Sequence, residues 1–393
     1  MSHQTITSDR ELAEFCAGLA AQPWIAFDTE FVSERTYRPV LCLVQVATAE
    51  QVAVVDALAI RDMTPFWQAI ATPGHETIVH AGRSELEFCL RAVGRQPVDL
   101  FDVQIAAGLV GIEYPASYRT LILKLLGEAS LKHETRTDWQ RRPLSQRQIH
   151  YAVDDARHLA ELRRVLAARL DALGRWDWLR EEMAGWQVEV EHALAHDRWR
   201  RVSGNSGLDR RSLAILRELW RWRESEAERR NCPSRRVLRD DLIVELSRRQ
   251  TADLRRIRAV RGLERGDLKR FLPQIGECIQ RAIALPEDQL PEKPRQEPKP
   301  QLSVLGQFLF SALGSICRQI DLAPGLAGSP SDVRDLIAYR TGSHRRGTPP
   351  RLECGWRAEV IGRTFDDLLA GKLSIRIEDP ASDHPLVFEP ADR

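Results

Sequence analysis

An apolar run that carries two acidic residues, Trp24–Val32, constrains the fold of this chain more than any other feature. Successive side chains of a β-strand point to opposite faces, so Asp28 and Glu30 would project from the same face. Burying one carboxylate costs several kcal/mol unless a cation is present, and burying two adds their mutual repulsion. The run therefore predicts either a strand that binds a metal ion or a strand edge with two solvated acids. For an isolated Asp-x-Glu pair the second alternative is the more common.

The first part of the chain has the pattern of an α/β domain. Short apolar runs at residues 25–27, 43–47 and 52–55 have the spacing of an antiparallel β-meander. Helix-like segments follow them, and together these patterns predict helices that cover a sheet. We expect this domain to occupy residues 1–173.

Two helices of this domain are predicted from their first residues. The form Ser-x-x-Glu/Gln of a helix capping box begins at Ser84 and again at Ser145. The second box is expected to open one long helix that reaches about Leu173. In that helix Tyr151 and Asp155, four residues apart, share a face.

The rest of the chain has helical patterns separated by breaks. A Gly- and Ser-rich break lies at 203–207, Asp209 is expected to cap the helix after it, and five prolines between 286 and 300 indicate an extended linker. The predicted parts are the α/β domain, a connecting helix with its linker, a helical module, a Pro-rich linker and a mainly helical C-terminal region: 1–173, 174–206, 207–288, 289–302 and 303–393.

Charge is distributed unevenly along the chain, although the net charge is only +1. Residues 201–300 carry 24 Lys and Arg against 16 Asp and Glu. A basic surplus of this kind predicts either a surface that binds a polyanion or a solvated Arg-rich helical face.

The sequence also excludes several classes of protein. No Gly-x-x-x-x-Gly-Lys-Ser/Thr loop occurs, which excludes a P-loop enzyme, and we expect no nucleoside triphosphate as partner. No apolar stretch approaches the roughly 18 residues of a transmembrane helix, and the N-terminus lacks a signal pattern, so we expect a cytoplasmic protein with no membrane partner. The seven cysteines include no Cys-x-x-Cys pair that would indicate a zinc site.

Six short motifs give the first domain a family resemblance. With the Asp-x-Glu pair and the Tyr-x-x-x-Asp pair, the chain resembles the DEDD exonucleases that have a tyrosine in the last motif, and within them the ribonuclease D family. The motifs are Phe-Asp-Thr-Glu-Phe at 27–31, His-Ala-Gly at 80–82, Phe-Asp-Val-Gln at 101–104, Arg-Thr-Asp-Trp at 136–139, Arg-Pro-Leu at 142–144 and Tyr-Ala-Val-Asp-Asp at 151–155. The resemblance implies an α/β RNase H-like exonuclease domain, in which helices flank a mixed sheet.

The resemblance also implies a metal centre. Asp28, Glu30 and Asp155 would bind two divalent ions, Mg²⁺ or Mn²⁺, which prefer carboxylate oxygens, and Tyr151 would hydrogen-bond the attacking water. The family normally has an aspartate five residues after the His of His-Ala-Gly, whereas this chain has Glu85. We expect Glu85 to be a fourth ligand that alters the metal preference. The alternative is an acid that stabilises the first turn of a helix.

A basic segment with an aromatic residue precedes the predicted catalytic helix. Lys132, Arg136 and Arg142 are candidates for contact with RNA phosphates, and Trp139 for base stacking. For Trp139, a place in the protein core is an equally good alternative. Asp102 is either a further acid near the site or a cap at a strand end.

The helical module has a resemblance of its own. Residues 208–288 resemble the HRDC domain of RecQ-type helicases and of ribonuclease D, through Leu-Arg-Glu-Leu at 216–219 and Val-Leu-Arg-Asp-Asp at 237–241. The region 303–393 resembles the C-terminal domain of some ribonuclease D proteins and is predicted to be a second HRDC-like domain.

These resemblances predict a metal-dependent 3′–5′ exoribonuclease. It would trim the 3′ ends of structured RNA, such as tRNA precursors, and release nucleoside 5′-monophosphates. The expected partner is RNA with a single-stranded 3′ end, and the expected state is a monomer. Two alternatives stay open from the residues: a DNA exonuclease, because nothing readable senses the 2′-hydroxyl, and a catalytically impaired nucleic-acid-binding scaffold, because Glu85 replaces the usual aspartate.

Overall fold

The computed structural model contains an α/β domain, a helical module and a C-terminal region. It describes residues 3–128, 137–195, 197–263, 266–293, 304–342, 349–382 and 385–391. Within these ranges, no helix combines the length and the hydrophobicity needed to cross a bilayer.

A six-stranded mixed sheet forms the centre of the first domain. Its strands are β1 (Gln4–Ile6), β2 (Trp24–Val32), β3 (Val40–Ala47), β4 (Val52–Asp56), β5 (Glu76–Val79) and β6 (Asp99–Asp102). They lie in the order β1-β4-β3-β2-β5-β6. The predicted antiparallel meander β2-β3-β4 is confirmed, and β1, β5 and β6 add parallel pairs on its two sides.

Helices cover both faces of this sheet, as predicted. They are α1 (Asp9–Leu19), α2 (Thr64–Ala71), α3 (Arg83–Val93), α4 (Val103–Leu109), α5 (Tyr118–Leu121), α6 (Gln146–Arg157), α7 (Leu159–Leu173) and α8 (Trp176–Ala195). On one face Phe27 makes edge-to-face contacts with Phe66 and Trp67 of α2. On the other face α6 packs over β2, β3 and β4. This second face holds Asp28 and Glu30, because side chains alternate along β2.

The first predicted capping box is wrong. Helix α3 begins one residue before Ser84, and the preceding Gly82 provides no side-chain cap. The start of α3 is held from another strand end instead, because the backbone N–H of Gly82 donates to Asp102 Oδ2 at 2.8 Å. Asp102 also caps α4, which confirms its role at a strand end. Glu87, the other half of the predicted box, forms an ion pair with Arg91 at 2.7 Å.

The second capping box is confirmed, but the helix after it is shorter than predicted. Ser145 accepts from the N–H of Gln148, and the Gln148 side chain accepts from the N–H of Ser145. The single long helix is instead two helices, α6 and α7, which meet at His158. The Tyr118 hydroxyl stabilises this break, since it accepts from the His158 N–H at 3.3 Å and donates to the carbonyl of Asp154 at 3.1 Å.

The helical module has a hydrophobic core of its own. Its helices are α9 (Arg210–Arg229), α10 (Ser234–Val237), α11 (Asp240–Arg249), α12 (Leu254–Arg258) and α13 (Leu272–Ile283). Asp209 caps α9 as predicted, accepting from the N–H of Ser212 at 2.7 Å. The module contacts the first domain after β2, where Arg38 and Glu228 form an ion pair at 2.5 Å.

The C-terminal region packs directly on the first domain. It contains α14 (Val304–Gln319), α15 (Pro324–Ala327), α16 (Pro330–Arg340), α17 (Gly355–Arg357), α18 (Arg363–Leu369), β7 (Leu373–Ile377) and β8 (Leu386–Pro390). Strands β7 and β8 form an antiparallel pair. Buried Arg357 pairs with Glu182 of α8 at 2.5 Å, and Trp356 stacks on Trp178 at 4.9 Å between ring centroids. The two parts therefore share one hydrophobic core.

Candidate active site

Three carboxylates from two elements meet at one place on the sheet. Asp28 and Glu30 lie on β2, and Asp155 lies on α6, which packs on the same face. One carboxylate oxygen from each lies within 4.8 Å of the others. The capping box at Ser145 fixes where α6 begins and so helps to set the position of Asp155 against β2. The structure thus brings together three of the four predicted ligands.

The electrostatics of this acidic group favour a bound cation. Burial, and then repulsion from the neighbouring carboxylates, raises the pKa of Asp28 well above its usual range. The same causes raise the pKa of Glu30 to about 8. Burial raises the pKa of Asp155 to about 7, although a hydrogen bond from Tyr151 lowers it. A divalent cation would offset this repulsion, and three carboxylate oxygens suit a hard ion such as Mg²⁺ or Mn²⁺.

Tyr151 places a hydroxyl at the edge of the acidic group. It lies one helical turn before Asp155, and its hydroxyl donates a hydrogen bond to that carboxylate. Burial and the neighbouring negative charges raise the pKa of Tyr151, so the phenol stays protonated. Its ring packs against Trp139, with 6.1 Å between the ring centroids.

Glu85, the fourth predicted ligand, lies close to the acidic group but outside it. Its carboxylate accepts a hydrogen bond from Thr29 Oγ1 at 2.5 Å. Thr29 alternates with Asp28 and Glu30 along β2 and so points to the opposite face. Burial raises the pKa of Glu85 to about 7, although the bond from Thr29 lowers it. The charge of Glu85 in turn raises the pKa of Asp28, so Glu85 acts on the site from the other side of the strand.

Of the four residues predicted to contact RNA, the structure describes two, Trp139 and Arg142. Trp139 is only 6% exposed and belongs to a buried cluster, which favours the core alternative for this residue. Arg142 makes two hydrogen bonds of 2.6 Å to the carboxylate of Asp56, at the end of β4. Lys132 and Arg136 lie outside the described residues.

Two polar residues near the site have no role in the sequence-based prediction. Gln45 is fully buried in β3 and lies directly opposite Asp28 in the antiparallel ladder. The sequence feature that could have identified Gln45 is that it is the one carboxamide in the otherwise apolar strand Val40–Ala47. Tyr118 is half-buried, and its hydroxyl hydrogen-bonds to the backbone at the junction of α6 and α7. No local pattern marks Tyr118, because its partners lie far along the chain.

Comparison with known proteins agrees with this geometry. The family described as 3'-5' exonuclease matches residues 3–171, and the HRDC domain matches residues 212–279. Ribonuclease D of Granulibacter bethesdensis is 34% identical over 381 residues, which cover 95% of this chain and 94% of that protein. Ribonuclease D of Acidiphilium cryptum is 35% identical over 380 residues, which cover 94% of each protein. This chain belongs to the ribonuclease D family.

A solved structure extends the match to the whole fold. The Escherichia coli protein in it is described as RNase D, an exoribonuclease involved in structured RNA processing. Its TM-score to this chain is 0.79 at 28% identity, and the match covers 94% of this chain and 99% of the other. As a ribonuclease D, the chain is a 3′–5′ exoribonuclease of a family that depends on divalent metal ions. The predicted fold class, an α/β exonuclease domain followed by helical domains that include an HRDC domain, is confirmed.

Proposed function

We propose that this ribonuclease D trims the 3′ ends of structured RNA, such as tRNA precursors, and releases nucleoside 5′-monophosphates by two-metal-ion hydrolysis. One observation carries the proposal: one carboxylate oxygen from each of Asp28, Glu30 and Asp155 lies within 4.8 Å of the other two on one face of the exonuclease sheet. The substrate would present a single-stranded 3′ end to these carboxylates.

The chain's own contribution to the reaction is the arrangement of the side chains that would bind the metal ions and the attacking water. Two divalent ions, Mg²⁺ or Mn²⁺, would supply activation of a water and stabilisation of the leaving oxygen in an in-line displacement. Strand β2 fixes Asp28 and Glu30 on one face, and α6 sets Asp155 against them, so the oxygens are held in place before the ions arrive. The protonated hydroxyl of Tyr151 can hydrogen-bond the attacking water beside Asp155, and it does not need to ionise to do so.

Glu85 is proposed as the fourth ligand. Its burial, its pKa of about 7 and its effect on the pKa of Asp28 support a place in the site. To reach an ion, its carboxylate has to leave the hydroxyl of Thr29. Loss of activity in Glu85→Ala with activity retained in Glu85→Asp would support a ligand role. An Ala variant as active as wild type would show that Glu85 is no ligand, and a silent wild type revived by Glu85→Asp would support the impaired-scaffold alternative.

RNA contacts outside the acidic group are proposed for two regions. The first is the basic segment before α6, with Lys132, Arg136, Trp139 and Arg142. Because Arg142 is engaged by Asp56 and Trp139 is buried, we expect substitution of these two to lower stability as well as RNA affinity. The second is the basic helical module at 207–288, supported by its surplus of Lys and Arg.

We further propose that the chain divides into five parts, at 1–173, 174–206, 207–288, 289–302 and 303–393, and that the last part is a second HRDC-like domain. We also propose that the protein is a cytoplasmic monomer. All seven cysteines are free, which accords with a reducing compartment. Light scattering after size exclusion should give a mass near 44.7 kDa. Twice that mass would contradict the monomer.

Substitution of one ligand tests the proposed reaction. Asp155→Asn keeps the side-chain size and removes the charge, so hydrolysis of a 3′-tailed tRNA in Mg²⁺ or Mn²⁺ should fall by about 100-fold or more. RNA binding should be nearly unchanged. Asp154→Asn is the matched control, because Asp154 pairs with Arg157 at 3.4 Å. Substantial turnover by Asp155→Asn would contradict the two-metal reaction, and equal degradation of a matched DNA strand would favour the DNA exonuclease alternative.

A further inference from the structure

Gln45 is a buried polar residue whose hydrogen-bonding capacity is unused in the described chain. Its side chain has no solvent exposure. Neither its Oε1 nor its Nε2 has a hydrogen-bond partner among the residues that the structure describes. Buried side-chain amides are nearly always hydrogen-bonded, because loss of water without a replacement partner is costly. The buried, unpaired amide of Gln45 therefore needs a physical explanation.

The register of the sheet identifies what lies beside Gln45. In the antiparallel ladder it is opposite Asp28 of β2 on one side and Val54 of β4 on the other. Along its own strand, the nearest side chains on the same face are Leu43 and Ala47. Of these four neighbours, Asp28 alone is polar. Side chains directly opposite each other in such a pair have Cβ atoms about 4.5–5.5 Å apart, so a Gln amide can reach the carboxylate by a change of rotamer.

Asp28 in turn needs a donor when it is ionised. It is half-buried on the face that α6 covers, and a hydrogen bond from the backbone of Thr29 favours its charged form. A carboxylate that binds a metal ion through one oxygen is usually held by a hydrogen bond from a neighbouring group to the other oxygen. Nε2 of Gln45 is a donor of this kind, on the same face and in the adjacent strand.

We propose that Gln45 is a positioning residue of the metal centre, whose Nε2 donates a hydrogen bond to the Asp28 carboxylate when a divalent ion is bound. This inference rests on the proposed function of the acidic group. Without the ion, the amide of Gln45 is unpaired and lowers stability. With the ion bound, the amide orients Asp28 and increases the affinity of the site.

A substitution that removes the amide but keeps the volume separates this role from simple packing. Gln45→Met has the same side-chain length without the donor, and Gln45→Leu is a second apolar variant. In EDTA, both full-length variants should unfold at the same temperature as wild type or higher, because an unpaired buried amide has been removed. Their dissociation constants for Mn²⁺, measured by calorimetry in the absence of RNA, should rise by about tenfold or more.

Val46→Ala is the matched control for a change in the core of β3. Val46 is fully buried on the opposite face of the same strand, so this variant should lose thermal stability and keep the wild-type affinity for Mn²⁺. Variants of Gln45 that bind Mn²⁺ as tightly as wild type, while wild type degrades RNA, would overturn the positioning role and leave the proposed function intact. A wild type that neither binds Mn²⁺ nor degrades RNA would overturn both.

Discussion

Replacement of Glu30 by Gln should stabilise the metal-free protein against unfolding. It should also remove the further gain in thermal stability that metal ions give the wild type. Burial and repulsion from Asp155 and Glu85 raise the pKa of Glu30 to about 8, compared with 4.5 for an unperturbed Glu. The folded state therefore keeps a proton on Glu30 up to about pH 8, whereas the unfolded state loses it near pH 4.5. The resulting destabilisation is absent below about pH 4.5 and grows until about pH 8.

The pKa difference sets the size of the effect. At 1.36 kcal/mol per pKa unit, the ionised side chain costs about 4 kcal/mol at pH 8, and partial solvent access reduces this to about 2–4 kcal/mol. Gln has nearly the same shape and carries no charge. For a domain of this size, we expect the unfolding temperature of Glu30→Gln in EDTA at pH 8 to rise by about 5 °C or more.

A thermal unfolding series with and without Mn²⁺ measures both parts of this prediction. Wild type should gain stability on addition of Mn²⁺, whereas Glu30→Gln should gain little and should not degrade RNA. Glu34→Gln is the control, because Glu34 lies four residues further along and is exposed. A Glu30→Gln protein that is less stable than wild type in EDTA, or that keeps the full Mn²⁺ response, would refute the reasoning.

The metal site and two ion pairs give further tests. Affinity for Mn²⁺ should rise between about pH 6 and pH 8, because Glu30 and Asp155, with pKa values of about 8 and about 7, must lose protons to bind the ion; a flat profile in calorimetric titrations would be inconsistent with these carboxylates as ligands. Arg142→Ala should lower the free energy of unfolding by about 2 kcal/mol, because the mostly buried carboxylate of Asp56 on β4 loses this cation; chemical denaturation that gives wild-type stability would argue against this. Arg357→Ala should cost about 3 kcal/mol, because buried Glu182 loses its nearest cation, and its other cationic partner, Arg351, lies further away at 3.6 Å. Limited proteolysis should then cut the C-terminal region faster, and an unchanged pattern would show that this pair does not hold the region in place.

The features that could be predicted from the sequence are those set by residues close together in the chain. Alternation in β2 places Asp28 and Glu30 on one face, and the structure has them there. The capping box at Ser145 and the spacing of Tyr151 and Asp155 depend on one helix, so they too are readable locally.

The features that could not be predicted depend on contacts between distant residues. The start of α3 is fixed by Asp102, which comes from another strand, so the local pattern at Ser84 was misleading. The break between α6 and α7 depends on the hydroxyl of Tyr118. The environment of Gln45 requires the register of three strands, and a sequence pattern gives alternation without register.

The distance of Glu85 from the acidic group has a similar origin. A spacing of five residues after the His of His-Ala-Gly identifies the position of Glu85 but not the direction of its longer side chain. In the structure the Glu85 carboxylate bonds to Thr29 on the other face of β2. Whether Glu85 points to Thr29 or to the acidic group depends on how α3 packs against β2, which the local sequence does not show.

Degradation of a 5′-labelled RNA with a single-stranded 3′ tail, followed over a Mn²⁺ titration, tests the central claim most directly. The account predicts stepwise shortening from the 3′ end, nucleoside 5′-monophosphates as products, and no degradation in EDTA. It also predicts that Asp155→Asn, at the third carboxylate of the group, degrades the RNA at least about 100-fold more slowly than wild type at every Mn²⁺ concentration. Internal cleavage, nucleoside 3′-monophosphates as products, or equal degradation in EDTA would contradict it.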